Sequence, residues 1–338
     1  MANTSSEYYQ EPPARNTGDL WSYSGSDNKW KIETPSDSKI QRIMEGSGTL
    51  DYLQGEIYYA QGRYNKGVVR DFPNGQLPVD GLLSLNTQDL QPAWKNQTIR
   101  SGVSVIDGFL QYVPLGKRGV LIWFGGMRYP QGSFNGAGIL RNMNEIEVYD
   151  IDTASWHTQT ASGPPQNQTD IPGNRWDGCS VMAPSPDNSS YNIYMCGGQD
   201  GVGGGYYDDV WVLLIPSFIW VKVYQGTYGG QGQSCARSGR FMFEAGIIRS
   251  PTCEALFHIF DMVSLSWSQE FDPQATYEVP LAISDAIGGE LTGGATRRAP
   301  LSGWNSKELE AIFSVSTASG PGSAGQGPVP GPGSNNAA

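Results

Sequence analysis

The stretch GVLIWFGG at 119–126, followed by NEIEVYDIDTASW at 144–156, decides the fold. An apolar run ends on the pair Gly125-Gly126. A second strand then alternates, with Ile146 and Val148 on one face and Glu147 and Tyr149 on the other. Trp156 follows Tyr149 by seven residues, the spacing of a hairpin. Both registers carry apolar or aromatic residues, so the sheet expects neighbours on both faces. The plan recurs along the chain. Trp30, Trp94, Trp156 and Trp220 stand 62–64 residues apart, and Trp267 follows after a shorter gap. Before the last four come Gln61-Gly62, Gly125-Gly126, Gly197-Gly198 and Ala245-Gly246. A period of this size, with a glycine pair and a later Trp, reads as four-stranded propeller blades.

Aligning on Trp sharpens the units. Tyr23, Tyr149, Leu213 and Phe260 each precede their Trp by seven residues, whereas Leu85 precedes Trp94 by nine, an insertion in the hairpin turn. Asp19, Glu145 and Asp209 share one position at a strand start, which makes them structural rather than catalytic. The Trp is expected to pack against the adjacent blade. The third unit reads as strands near 103–113, 119–124, 146–149 and 155–157, and the fourth repeats it from Trp176 to Val223. The first unit shows only its last hairpin, 20–33.

Of 338 residues, 38% are hydrophobic and only 16% charged, with 44 Gly and 22 Pro, as many short strands and tight turns require. A net charge of −11 argues against nucleic acid and against an anionic membrane surface as partners. The segment 210–224 is the most apolar, but Pro216 divides it into two strands and it is shorter than the ~20 residues a membrane helix needs. No signal sequence and no membrane span are read in this chain.

Residues 1–17 and the Ser/Gly/Pro-rich tail 314–338 read as disordered, 18–304 as the propeller, and 305–313 as a short helix with Asn305 as N-cap and Glu308 three residues on. The segment 277–283 is expected to close the ring on the first unit. Cys179 and Cys196 could face each other across a hairpin, and Cys235 and Cys253 flank another strand. Four cysteines allow three pairings, and the sequence leaves all of them open. Sequons begin at Asn3, Asn96, Asn167 and Asn188.

These segments, with DNSSYNIYMCGG at 187–198 and YDDVWVLLIPSFIWVKVY at 207–224, resemble the kelch repeat, and more narrowly the cell-wall-anchored kelch proteins of filamentous fungi. TYEVP at 276–280 and the GG pairs after 287 extend the resemblance over about 18–305. It implies a galactose-oxidase-like all-β propeller of six or seven blades displayed outside the cell, of which about five units are visible here.

The fold raises a copper-radical oxidase, which needs two His, a Tyr ligand and a Tyr–Cys crosslink. The chain has only His157 and His258, both at variable repeat positions, so no metal, cofactor or catalytic residue is expected. The Gly-rich run 201–205 lacks the Lys and helix of a phosphate loop. What remains is recognition by the loops at one mouth of the ring. These carry Arg63-Tyr64, Arg128-Tyr129, Arg175-Trp176 and Tyr206-Tyr207, residue types that dominate binding surfaces. The reading is a non-enzymatic protein- or glycan-binding scaffold at a fungal cell surface. The alternatives are a metal-dependent oxidase or lyase on this propeller and a cytoplasmic kelch adaptor.

Overall fold

The computed structural model describes residues 20–33, 43–65, 76–87, 95–97, 103–130, 138–201, 204–227, 229–246 and 257–315. The N-terminal segment 1–17, the tail beyond 315, Asp19, Trp94 and Cys253 lie outside the described residues. Four antiparallel four-stranded sheets form in chain order, each with sequential strand order. The second blade comprises Ser47–Asp51, Glu56–Ala60, Leu82–Asn86 and Lys95–Gln97. The third comprises Phe109–Val113, Val120–Phe124, Glu145–Asp150 and Ser155–Thr160. The fourth comprises Trp176–Pro184, Tyr191–Gln199, Asp209–Ile215 and Ile219–Gln225. The fifth comprises Ser234–Ser238, Phe241–Ala245, Phe257–Asp261 and Ser266–Ser268. The first unit is the hairpin Leu20–Ser24 with Lys29–Glu33. The four sheets, joined through their first strands, are arranged as the blades of a β-propeller.

The seven-residue spacing is a cross-strand pair. Tyr23 faces Trp30, Tyr149 faces Trp156, Leu213 faces Trp220 and Phe260 faces Trp267. Each pair brings two large side chains together on one face, the unit of sheet stabilisation. Trp220 is wholly buried; its ring meets Phe124 of the third blade edge-on at 5.4 Å, and its Nε1 donates to Met143 O at 2.8 Å. Trp267 meets Tyr224 of the fourth blade at 6.2 Å. Trp156 is half-buried beside Trp123 and Tyr149, whereas Trp30 on the first hairpin is 65% exposed.

The glycine pairs have a second job, joining blades. Gly125 and Gly126 have φ of 61° and 85°, and Gly197 and Gly198 have 67° and 90°, conformations that favour glycine. The second glycine donates to the segment leading into the next blade, Gly62 N to Val105 O, Gly126 N to Arg175 O and Gly198 N to Gly230 O. A Cβ at Gly126 would lie 2.7 Å from Ile106 O. Of the two divergent pairs, Gln61-Gly62 keeps the geometry: Gln61 adopts φ 52°, and its side-chain carbonyl accepts from Val105 N, whereas at Ala245-Gly246 only the glycine has positive φ.

Three expectations need correction. The strand expected over 103–113 is broken at Asp107 (φ 48°). Val103–Ile106 instead joins a small sheet with Met127–Pro130, and the blade strand starts at Phe109. The segment 277–283 does not pair with the first hairpin. Tyr277 enters the core, where its hydroxyl meets Tyr194 at 2.9 Å, and Leu281–Ile287 forms helix α1. The second helix, α2, spans Lys307–Ser314, and its N-cap is Ser306, whose Oγ accepts from Leu309 N. Asn305 instead binds Gln159 and Thr160 of the third blade. Leu309 and Phe313 of α2 join the core, Phe313 packing edge-on to Phe218 at 5.4 Å. No helix among the described residues is long and apolar enough to cross a membrane.

Candidate functional site

The first strands of the second to fifth blades contact one another in succession, which makes them the innermost strands. Each carries at or just before its start a residue in the left-handed region, namely Glu45 (φ 57°), Asp107 (φ 48°), Asp177 (φ 60°, the second residue of its strand) and Gly232 (φ 71°). Their backbones form a chain of hydrogen bonds from blade to blade. Asp107 N donates to Glu45 O (2.8 Å), Asp177 N to Asp107 O (3.0 Å) and Gly232 N to Asp177 O (2.9 Å). Gly46, Gly108 and Gly178 follow the three acids, where the inner strands crowd together. A Cβ at Gly178 would lie 2.7 Å from Cys196 O.

This fixed backbone holds three carboxyl groups within electrostatic reach of one another at the mouth. Burial, then Glu45 and Asp177, push the Asp107 carboxyl up to about 9. Burial, then Glu45, push Asp177 up to about 6. Arg63 supplies the counter-charge through its ion pair with Glu45. Both aspartates titrate above their ordinary 3.8, so the folded chain binds more protons than the unfolded one above that pH. Their contribution to stability is therefore greatest at low pH. It declines as pH rises through about 6 for Asp177 and about 9 for Asp107. Asn tolerates the left-handed backbone at 107 and carries no charge to desolvate. Asp107→Asn is expected to stabilise the fold by at least about 1 kcal/mol near pH ~8.5, and by much less near pH ~4.5. Thermal unfolding at the two pH values checks this.

The mouth loops place the expected binding residues unevenly. Arg175 is 0% exposed and binds Asp209 with both terminal nitrogens, at 2.5 and 3.2 Å. It also donates to Gly197 O and Gly173 O, and lies 3.8 Å from the Tyr207 ring centroid. Its role is internal, which corrects its placement on a contact surface. Tyr129 is likewise buried, with its hydroxyl on Met127 Sδ. Arg63 is tied to Glu45, and Arg128 pairs with Glu145 at 3.1 Å. Tyr64, Trp176 and Tyr207 are half-buried, and Tyr206 is 38% exposed.

Beside the mouth, between the fourth and fifth blades, opens a cleft of about 720 Å³ lined by Asp208, Tyr224, Thr227, His258 and Trp267. His258 Nδ1 lies 3.3 Å from Glu244 Oε2, and Glu244 Oε1 accepts from Cys196 Sγ at 3.5 Å. His157 sits two blades away, with its Nε2 on Ser155 Oγ, so the two histidines do not share a site.

Cys179 and Cys196 are indeed cross-strand partners, yet the disulfide joins Cys179 to Cys235 of the next blade. Cys196 is a buried free thiol. Asn96, Asn167 and Asn188 are all exposed. The acid-Gly dipeptides and the thiol cluster were not singled out from the sequence. Glu45-Gly46, Asp107-Gly108 and Asp177-Gly178 recur at the start of three of the four inner strands.

No family model matches the chain. It is similar to a kelch repeat-containing protein of Arthroderma benhamiae, with 26% identity over 349 residues, covering 83% of this chain and 50% of that protein. The chain thus spans about half the length of the curated relative it matches. A solved structure described as the structure of YjhT aligns over 69% of this chain and 66% of that one, with 13% identity and a TM-score of 0.47.

Proposed function

We propose that this kelch-repeat propeller is a non-enzymatic, protein- or glycan-binding scaffold whose binding face is the acidic mouth. The observation that carries the reading is the convergence of Glu45, Asp107 and Asp177 on a backbone locked between blades. A rigid site costs little ordering on binding, and the Glu45 and Asp177 carboxylates select cationic groups, such as basic peptide segments or amino sugars. The exposed Tyr206 ring adds an aromatic surface at the rim. The inter-blade disulfide fits an oxidising, extracellular setting better than a cytoplasmic adaptor.

A lysine-rich peptide and a glucosamine polymer titrated against the protein test this. Binding of one of them is expected to weaken with salt, and to fall at least ~10-fold in Glu45→Gln/Asp177→Asn. Equal binding by parent and double variant, or no binding of either probe, refutes the mouth as the site.

A further inference from the structure

Three cysteine sulfurs converge where the fourth and fifth blades meet. Cys179 and Cys196 face each other across the first hairpin of the fourth blade, and Cys235 comes from the innermost strand of the fifth. The three sulfurs lie within 4.8 Å of one another. Cys196 Sγ is 3.5 Å from Cys179 Sγ, 3.8 Å from Cys235 Sγ and 3.5 Å from Glu244 Oε1. Around a tetrahedral zinc ion with Zn–S of about 2.3 Å and Zn–O of about 2.0 Å, the S···S edge is about 3.8 Å and the S···O edge about 3.5 Å. Cys196 therefore already stands at ligand-to-ligand distance from three other donors. Cys235 and Glu244 are themselves cross-strand partners, as are Glu244 and His258. His258 Nδ1 sits 3.3 Å from the other Glu244 oxygen. That is how an outer imidazole orients a ligating carboxylate. His258 also lines the inter-blade cleft, which gives an ion a way in.

We propose that, once the Cys179–Cys235 disulfide is reduced, this cluster binds one zinc ion through Cys179, Cys196, Cys235 and Glu244. A dithiol supplies two electrons and two protons to the disulfide and leaves as its own disulfide. Zinc then displaces one proton from each of the three thiols, while Glu244 binds as the carboxylate. The seam between the two blades is closed by a disulfide in the oxidised chain and by a metal in the reduced one.

The full chain, reduced with a phosphine and freed of excess reductant, is titrated with zinc and, in parallel, with cobalt(II). The expected result is one equivalent of metal per chain, thiolate-to-cobalt charge-transfer absorption, and intense visible bands of tetrahedral cobalt. Cys196→Ser retains the disulfide in its oxidised form, and when reduced should bind at least ~10-fold more weakly. Cys253→Ser should match the parent. If reduction unfolds the chain, one equivalent of zinc should restore the near-ultraviolet circular dichroism of the oxidised protein. Absence of stoichiometric metal, octahedral cobalt spectra, unchanged binding in Cys196→Ser, or failure of zinc to refold a reduced, unfolded chain each overturns the proposal.

Discussion

Arg175→Ala is expected to destabilise the fold by about 3–5 kcal/mol, read from urea unfolding. The guanidinium is wholly buried and grips Asp209 with two nitrogens, while also satisfying two backbone carbonyls. Removing it strands the Asp209 carboxylate, leaving it with the Trp211 indole N–H at 2.8 Å. It also removes the platform under Tyr207. The loss is large because an unpaired buried charge keeps its desolvation cost and loses its partner. Arg175→Lys should recover only part of it. A single ammonium cannot reproduce the two-pronged contact with Asp209 or stack flat on a ring. Parent-like unfolding of Arg175→Ala would mean that the pair contributes nothing to the fourth blade.

Trp220→Ala is expected to cost about 3–5 kcal/mol as well, by a different route. The indole fills the space between the third and fourth blades, against Phe124, and its N–H satisfies Met143 O across that interface. Truncation leaves a cavity that strands on both sides hold open, and one unpaired carbonyl. Trp30→Ala, at a 65% exposed position on the first hairpin, should change stability far less. Equal losses at the two sites, measured by the same unfolding experiment, would contradict the assignment of the Trp series to inter-blade packing.

The contrast between these tryptophans shows what a repeat read from one sequence can and cannot give. The spacing from Tyr149 to Trp156 is a local quantity, set by strand period and turn length, and it translates directly into cross-strand pairing. The glycine pairs are similarly legible, because a left-handed backbone excludes most other residues. Burial of Trp220 against exposure of Trp30 is not local. It depends on whether another blade lies alongside. The same limit applied to Arg175, which reads as a surface contact residue until Asp209 is placed beside it. The helix after 305 was legible in kind but one residue off at its cap. Asn305 is an equally good capping type, and only its bonds to Gln159 and Thr160 draw it away.

The candidate mouth was half legible. Its loops follow from the glycine pairs, but its carboxyl cluster does not, since Glu45, Asp107 and Asp177 come from three blades and meet only where those blades converge. Asp107 is pushed up to about 9 first by burial and then by Glu45 and Asp177, 62 and 70 residues away in the chain.

By itself, then, the sequence determined the blade, its strand order, its hairpin pairs and the glycine turns, because each rests on periods and backbone limits that act over a few residues. The tertiary structure decided which tryptophans are buried, which arginine is a surface group, which acids hold protons, and that Cys235 rather than Cys196 closes on Cys179. Burial, charge coupling and sulfur pairing are all set by neighbours that the chain brings in from the next blade.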